Sequence, residues 1–322
     1  MPGPLHSQVH VDTLLTDVSI GYVQDQKNYI AAEVAPIYPV DKSSDKYPIW
    51  SEADFLRMQT HEVNRNDPAP EASYSMSSDT YTVEEWPLKK LILDKDRKDS
   101  DVDLEKSTTE FLTQQILMRR DYQLLNVLFT SGNWTTTKTG AASGGDFVHF
   151  SDSSSTPFKT VRDYCRTLQP LSGGRRPNVI VACPEVDDLL KEHDDSLDKI
   201  KYTNTGIVDN ELLAKAFGVD KYLVAEAVYN TAAAGATTTS VSNMAGDFMW
   251  LGYVAPTPGQ YTPSALYDFS WTEYDGAKKG GAQIKRWRND DPEGDWLKAE
   301  AAFQIKVTAA SSGLLMINPA TG

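Results

Sequence analysis

Thirty residues, Val102 to Ser131 (VDLEKSTTEFLTQQILMRRDYQLLNVLFTS), run without one Gly or Pro. Larger side chains recur seven apart at Leu104, Phe111, Met118 and Leu125, with Tyr122 and Phe129 beside them. That spacing predicts a helix with one apolar stripe against a core and charges and Gln on the other face. Asp101 and Asp103 stand where a helix start favours acids, and Gly132 stands where a helix stop favours Gly. At 1.5 Å per residue the rod is about 45 Å long, far beyond the average globular helix. Two readings fit such a rod: a core helix of an ordinary enzyme, or a spine that carries domains at its two ends.

The flanks favour the spine. Residues 1–40 carry little periodicity. Val11–Val23 (VDTLLTDVSIGYV) reads as a short helix or an extended arm, and Pro36 and Pro39 stiffen the chain after it. Such an arm has no core of its own and is expected to lie on another subunit or domain. Residues 41–96 read as a long two-stranded excursion. DKYPIWSEADFLRM runs out, Asn66-Asp67-Pro68 and Pro70 supply turn chemistry, and Thr80, Thr82, Glu84 and Trp86 alternate with Tyr81, Val83 and Glu85 on the return. An isolated ribbon is marginal in water, so a neighbouring subunit is the expected support.

After the spine, TSGNWTTTKTGAASGG and SDSSSTP have loop composition. Pro157–Gln169 is predicted helical, with Thr156 as cap and Val161, Tyr164, Cys165 and Leu168 on one face. From Arg175, strands (RRPNVIVAC, VDKYLVAEAV, DFMWLGYV) interleave with helices at Pro184–His193 and Asn210–Phe217, an α/β lobe with its own core. TAAAGATTTSVSN between two of those strands is a surface loop. GAQIKRWRND and DWLKAEAAFQIKV flank a DPEG turn and predict a β-hairpin that returns to the spine.

Net charge is −14, from 45 acids against 31 bases, which disfavours specific DNA or RNA binding but allows nucleic acid to be enclosed. No apolar run approaches a membrane span, and no secretory signal opens the chain. Cys165 and Cys183 make no disulfide framework. No phosphate loop, CxxC pair or HExxH motif occurs, so neither cofactor nor metal is expected. Gly173-Gly174-Arg175-Arg176 precedes a strand, the wrong order for a phosphate cradle. Cys183 and His193 raise a thiol-hydrolase reading, but Cys183 ends a buried strand and no orienting motif accompanies it. Asn289–Glu300 has Gly sixth and Glu twelfth, as in a calcium loop, yet its flanks read as strands and a hairpin turn is preferred.

The order of arm, long hairpin, spine helix, α/β lobe and returning hairpin resembles the major capsid proteins of tailed bacteriophages. SDKYPIW, DTYTVEEWPLKK, LTQQILMRRDYQLLNVLFTSGNW, RRPNVIVACPEV and ELLAKAFGVDKYLVAEAVYNTA carry the resemblance, over most of residues 25–260. It implies an α+β fold of Hong Kong 97 type. Its parts would be an N-terminal arm (1–40), an extended loop (41–96), spine helix and first peripheral part (97–174), an axial domain (175–280) and a returning peripheral hairpin (281–322). It implies a structural protein without catalytic residues, self-assembling as hexamers and pentamers of an icosahedral shell around double-stranded DNA. Assembly would occur in the host bacterial cytoplasm, with the product residing in the virion. Some relatives cross-link through a loop lysine; no lysine lies between Tyr47 and Leu88, so non-covalent assembly is expected. A separate scaffolding protein, a portal and decoration proteins are the implied partners, with no membrane. Trp50, Arg65, Tyr74, Met76, Tyr81 and Trp86 are the expected subunit anchors, and Arg175 and Arg176 would face a neighbour or the lumen. An encapsulin-type nanocompartment, with the same fold around a protein cargo, is the alternative.

Overall fold

The computed structural model describes residues 28–320, except 51, 64–67, 197–207, 234, 260 and 274–281. The arm expected over Val11–Val23 lies outside the described residues, as does Arg65. In chain order the first elements are α1 (Ala31–Val34), β1 (Ile37–Val40), β2 (Ser44–Trp50), α2 (Glu52–Phe55), β3 (Met76–Thr82), β4 (Glu84–Leu93), α3 (Asp94–Asp99) and α4 (Leu104–Leu128). Next come β5 (Thr136–Ala141), β6 (Phe147–Val148), α5 (Pro157–Leu171), β7 (Val179–Ala182), α6 (Pro184–Glu192), α7 (Asn210–Phe217) and β8 (Lys221–Val224). The chain finishes with β9 (Val228–Asn230), β10 (Val241–Asn243), β11 (Phe248–Gly252), β12 (Leu266–Trp271), β13 (Gln283–Asp290), β14 (Glu293–Val307) and β15 (Gly313–Ile317).

The spine is α4. Asp103 caps it, its carboxylate accepting the Glu105 and Lys106 amides at 3.1 Å, which satisfies two orphan donors of the first turn. The helix ends at Leu128, and residues 131–133 tighten into a 3-10 turn. Its buried stripe is not the seven-residue set. Thr108, Leu112, Ile116, Arg120, Leu124 and Leu128, four apart, face the core together with Asp121 and Leu125. Phe111 lies 48% exposed.

The core has two layers. A six-stranded sheet runs β6-β5-β15-β11-β7-β8. Alternate side chains of its central strands serve opposite faces. Val179, Val181, Trp250 and Leu315 pack in the cluster with α4, whereas Ile180, Ala182, Met249, Leu251, Leu314 and Met316 pack with α5, α6 and α7. Helices cover both faces, which is why VIVA and FMWLG are apolar throughout. The second sheet is five-stranded, ordered β1-β12-β14-β13, with β4 also on β14. Phe303 and Ile305 of β14 complete the spine-side core.

Several expectations change. TTKTGA is not loop but strand β5, paired in parallel with β15, and its Thr-rich face is tolerated at the side of the sheet. VDKYLVAEAV splits into β8 and β9, and β9 pairs with β10 across the small-residue loop. The layers also cut across the expected segment limits. Helix α5, placed before residue 174, packs in the lobe; β12, placed before 280, belongs to the five-stranded sheet; β15, placed after 281, pairs with β11 of the lobe. The β13–β14 hairpin forms where expected, paired from Gln283–Glu300 to Asp290–Glu293. It returns to the spine: Arg286 Nη1 meets Glu105 Oε2 at 2.8 Å. Asp295 accepts Arg97 and Arg286, both at 2.7 Å, and its carboxyl falls to about 2, mainly through the bond from Arg97.

Candidate functional site: a projecting ribbon

Strands β2 and β3 pair antiparallel from Ser44–Thr82 to Trp50–Met76, and the chain between them closes the ribbon. The ribbon is shorter than the 41–96 excursion expected. After Val83, strand β4 leaves it to pair with β14, from Glu84–Phe303 to Leu93–Gly294. The return limb therefore has an intramolecular support over its second half.

The root is tightly fastened. Tyr81 is 7% exposed and stacks on Phe269 at 4.9 Å and 7°, within a small core of Val40, Val83, Tyr267 and Ala302. Lys306 Nζ reaches both Asp79 Oδ2 and Thr80 O at 2.6 Å, and Tyr47 Oη donates to Asp79 at 2.9 Å. The bond from Lys306 holds the Asp79 carboxyl below its usual range, while burial raises the Tyr47 phenol. The Thr82 amide donates to Gln304 Oε1 at 2.8 Å.

The outer part is the opposite. Trp50 sits among Tyr74 at 5.6 Å, Tyr261 at 5.8 Å and Phe55 at 6.1 Å. Gln59 ties to Ser73 at 2.9 Å through both amide atoms, and Asp54 accepts the Ser75 amide at 2.9 Å, so the aromatic group is pre-organised. Yet Tyr74 is 64% exposed, Phe55 63%, Met76 59% and Met58 88%. A contiguous apolar patch of this kind on a polar-rimmed projection marks an interaction surface. Tyr, Trp and Met are also the anchor types that protein interfaces enrich.

The anchors expected from sequence thus separate. Trp50, Tyr74 and Met76 share the exposed cluster. Tyr81 faces the chain's own core. Trp86 packs beside Phe303 and lies beneath the Arg119 guanidinium at 3.9 Å. Arg175 is half-buried over the Tyr253 ring at 5.6 Å, and Arg176 is exposed beside α5.

Two buried charges on the spine were missed by sequence reasoning. Arg120 pairs with Asp268 of β12 at 3.0 Å, both side chains 2% exposed, and its guanidinium lies 4.4 Å over Phe303. Asp121 accepts the Ile30 and Ala31 amides at 2.9 and 2.8 Å, pinning α1 to the spine; burial lifts its carboxyl to about 7. Their partners lie over 85 residues away in sequence, so local periodicity carries no trace of them.

The hydrolase reading fails on geometry. Cys183 and His193 occupy opposite ends of α6, and burial pushes the Cys183 thiol up. His193 Nδ1 accepts the Asp195 amide at 3.1 Å, so its proton is on Nε2 and is donated to Ser155 Oγ at 2.9 Å. An imidazole so engaged is no base toward that hydroxyl. Among the described residues, no cluster of three or more His, Cys, Asp or Glu is placed to hold a metal, and no helix is long and apolar enough to cross a membrane. Asn289–Glu300, the calcium-loop candidate, is the tip and limbs of the β13–β14 hairpin.

The fold, a spine between two sheets, has solved counterparts. Two solved structures share it: a phage-related protein from Bordetella bronchiseptica (TM-score 0.70, 15% identity, 92% of this chain and 93% of that one) and the capsid of cyanophage P-SCSP1u (TM-score 0.60, 9% identity, 97% and 93%). No family model matches the sequence. The major capsid protein of Burkholderia phage BcepMu is 26% identical over 224 residues, covering 68% of this chain and 70% of the relative. In sequence and in fold, the chain resembles phage major capsid proteins.

Proposed function

We propose that this chain is the major capsid protein of a tailed phage, building a closed icosahedral head from hexamers and pentamers around double-stranded DNA. Its organisation would be of Hong Kong 97 type, with the ribbon as the extended loop reaching over an adjacent subunit and the six-stranded lobe gathered around the local axes. The observation that carries this reading is the ribbon: fastened at Tyr81 and Asp79, bare at Phe55, Tyr74 and Met76. A second copy laid on the tip would cover that patch and supply the surface a two-stranded ribbon requires. Assembly is non-covalent, because no lysine nucleophile lies between Tyr47 and Leu88. An acidic shell lets packed DNA leave without adhering to its walls. The chain would assemble in the host cytoplasm with a separate scaffold, portal and decoration proteins, and reside in the virion. The test is electron microscopy of the purified chain, expressed with and without its phage partners. Closed shells of uniform diameter, with nuclease-protected duplex DNA in the virion, are expected. Shells filled with a protein cargo would replace this reading with a nanocompartment, and a monodisperse monomer with its ribbon folded on itself would end it.

A further inference from the structure

Two helices on the same side of the six-stranded sheet carry opposite charges at the same spacing. On α5, Lys159, Arg162 and Arg166 stand at i, i+3 and i+7, all exposed. On α6, Glu185, Asp188 and Glu192 stand at i, i+3 and i+7, also all exposed. Residues so spaced share one helix face. Each row is about 10 Å long at 1.5 Å per residue, so the two match in length as well as in sign.

The basic row is one wall of a groove of about 620 Å³, to which Arg176 adds a fourth cation. Two acids temper it: Asp163, paired to Arg166 at 3.0 Å, and Asp195 at the rim. Among the described residues, no ion pair engages Lys159, Arg162, Arg176, Glu185, Asp188 or Glu192. The rows thus leave each other unsatisfied within one chain.

We propose that the α5 groove of one copy receives the α6 acidic face of the next, a head-to-tail contact that sets the register of the lobes around each ring. This rests on the shell reading above. The two rows lie on different helices, so seating the basic row of one copy on the acidic row of the next is a head-to-tail contact, which closes into rings when the rotation allows. Exposed pairs are individually weak, but a ring repeats the contact at every subunit. Complementary rows also fix register and speed encounter more than they add affinity. An acidic polypeptide suits the groove better than nucleic acid, because Asp163 and Asp195 would repel a continuous phosphate backbone.

The test is charge reversal and swap in the full chain. K159E/R162E/R166E makes both faces acidic, and E185K/D188K/E192K makes both basic. All six side chains are exposed, so each variant is expected to keep the wild-type circular dichroism and melting profile. Each alone is expected to lower particle yield by at least about tenfold at moderate salt, where charge steering is still felt. The six-residue swap, which restores a basic row facing an acidic row at every contact, is expected to recover yield to within about threefold. The proposal falls if a folded reversed variant assembles within about twofold of wild type, or if the swap stays as deficient as its parents. It also falls if only nucleic-acid content changes, which would assign the groove to phosphates. Wild-type chain that forms no closed particle overturns the shell reading itself, and is scored before any variant.

Discussion

Replacing Asp268 by Asn isolates a charge that the fold cannot neutralise. Arg120 and Asp268 are each 2% exposed at the side chain, and Nη1 lies 3.0 Å from Oδ2. At an effective dielectric near 20, two charges about 4 Å apart attract by about 4 kcal/mol. Removing one partner of a buried pair costs about 3–5 kcal/mol, because the survivor stays desolvated. Ser270 Oγ donates to Asp268 Oδ1 at 3.1 Å, and an Asn that keeps its oxygen there turns its NH2 toward Arg120, so the substitution removes both the counter-charge and the acceptor. A guanidinium does not release its proton, and the Phe303 face at 4.4 Å is its remaining counterpart. Asp268→Asn should therefore lose roughly 3–4 kcal/mol in urea unfolding of the unassembled chain, read by tryptophan fluorescence. Arg120→Met differs, because a stranded carboxyl takes up a proton. Burial already raises Asp268, and without Arg120 its folded pKa rises further above the unfolded value. The penalty is then absent below about pH 4 and grows as pH climbs toward that raised value. Arg120→Met combined with Asp268→Leu should return to within about 2 kcal/mol of wild type. An Asp268→Asn loss under about 1 kcal/mol, or an Arg120→Met penalty indifferent to pH, would refute the reasoning.

Asp121 gives an independent pH signature: with its carboxyl lifted from 3.8 to about 7, stability should fall by up to roughly 4 kcal/mol as pH rises from about 4 to 7. Asp121→Asn should flatten that slope in urea midpoints, and Asp121→Ala, which strands the Ile30 and Ala31 amides, should cost about 1–3 kcal/mol and expose Ile30 to proteolysis. Tyr74→Ser with Met76→Ser should leave unfolding within about 0.5 kcal/mol of wild type yet cut particle yield sharply in sedimentation, since both side chains are already exposed. Gly313→Ala should destabilise by about 1–3 kcal/mol in the same unfolding assay, because its Cβ would strike the Trp134 ring where that ring packs on Trp250.

The elements whose signals are local were readable in advance. Asp103 capped the spine, Gly218 closed α7 in the left-handed conformation, and the β13–β14 hairpin paired around its turn. What needed long-range partners was not readable. The true spine stripe includes Thr108, Arg120 and Asp121, polar residues that hydrophobic periodicity discards, and two of them are buried only because residues 30, 31 and 268 meet them. Alternation along residues 77–93 was correctly strand-like, but period 2 does not say which strand lies alongside. So Tyr81 and Trp86 looked free when Phe269 and Arg119 already cover them. Strand β5 escaped notice because its Thr and Gly residues match a loop until β15 is placed beside them. Tyr74 and Met76, picked out as aromatic and Met residues on a segment without a core, are exposed, whereas Trp50 is half-buried among its aromatic neighbours.

The position of β4 has a mechanical consequence. Only Val83 separates the ribbon from β4, whose ten residues pair along β14 from Gly294 to Phe303. Any pull on the ribbon would travel down β3 and arrive as shear along that ladder, loading its bonds together and not peeling them one by one. Strand β14 also carries β12 and β13. An outward tug on one loop is thus shared by the whole five-stranded sheet and, through Arg286 and Glu105, by the spine.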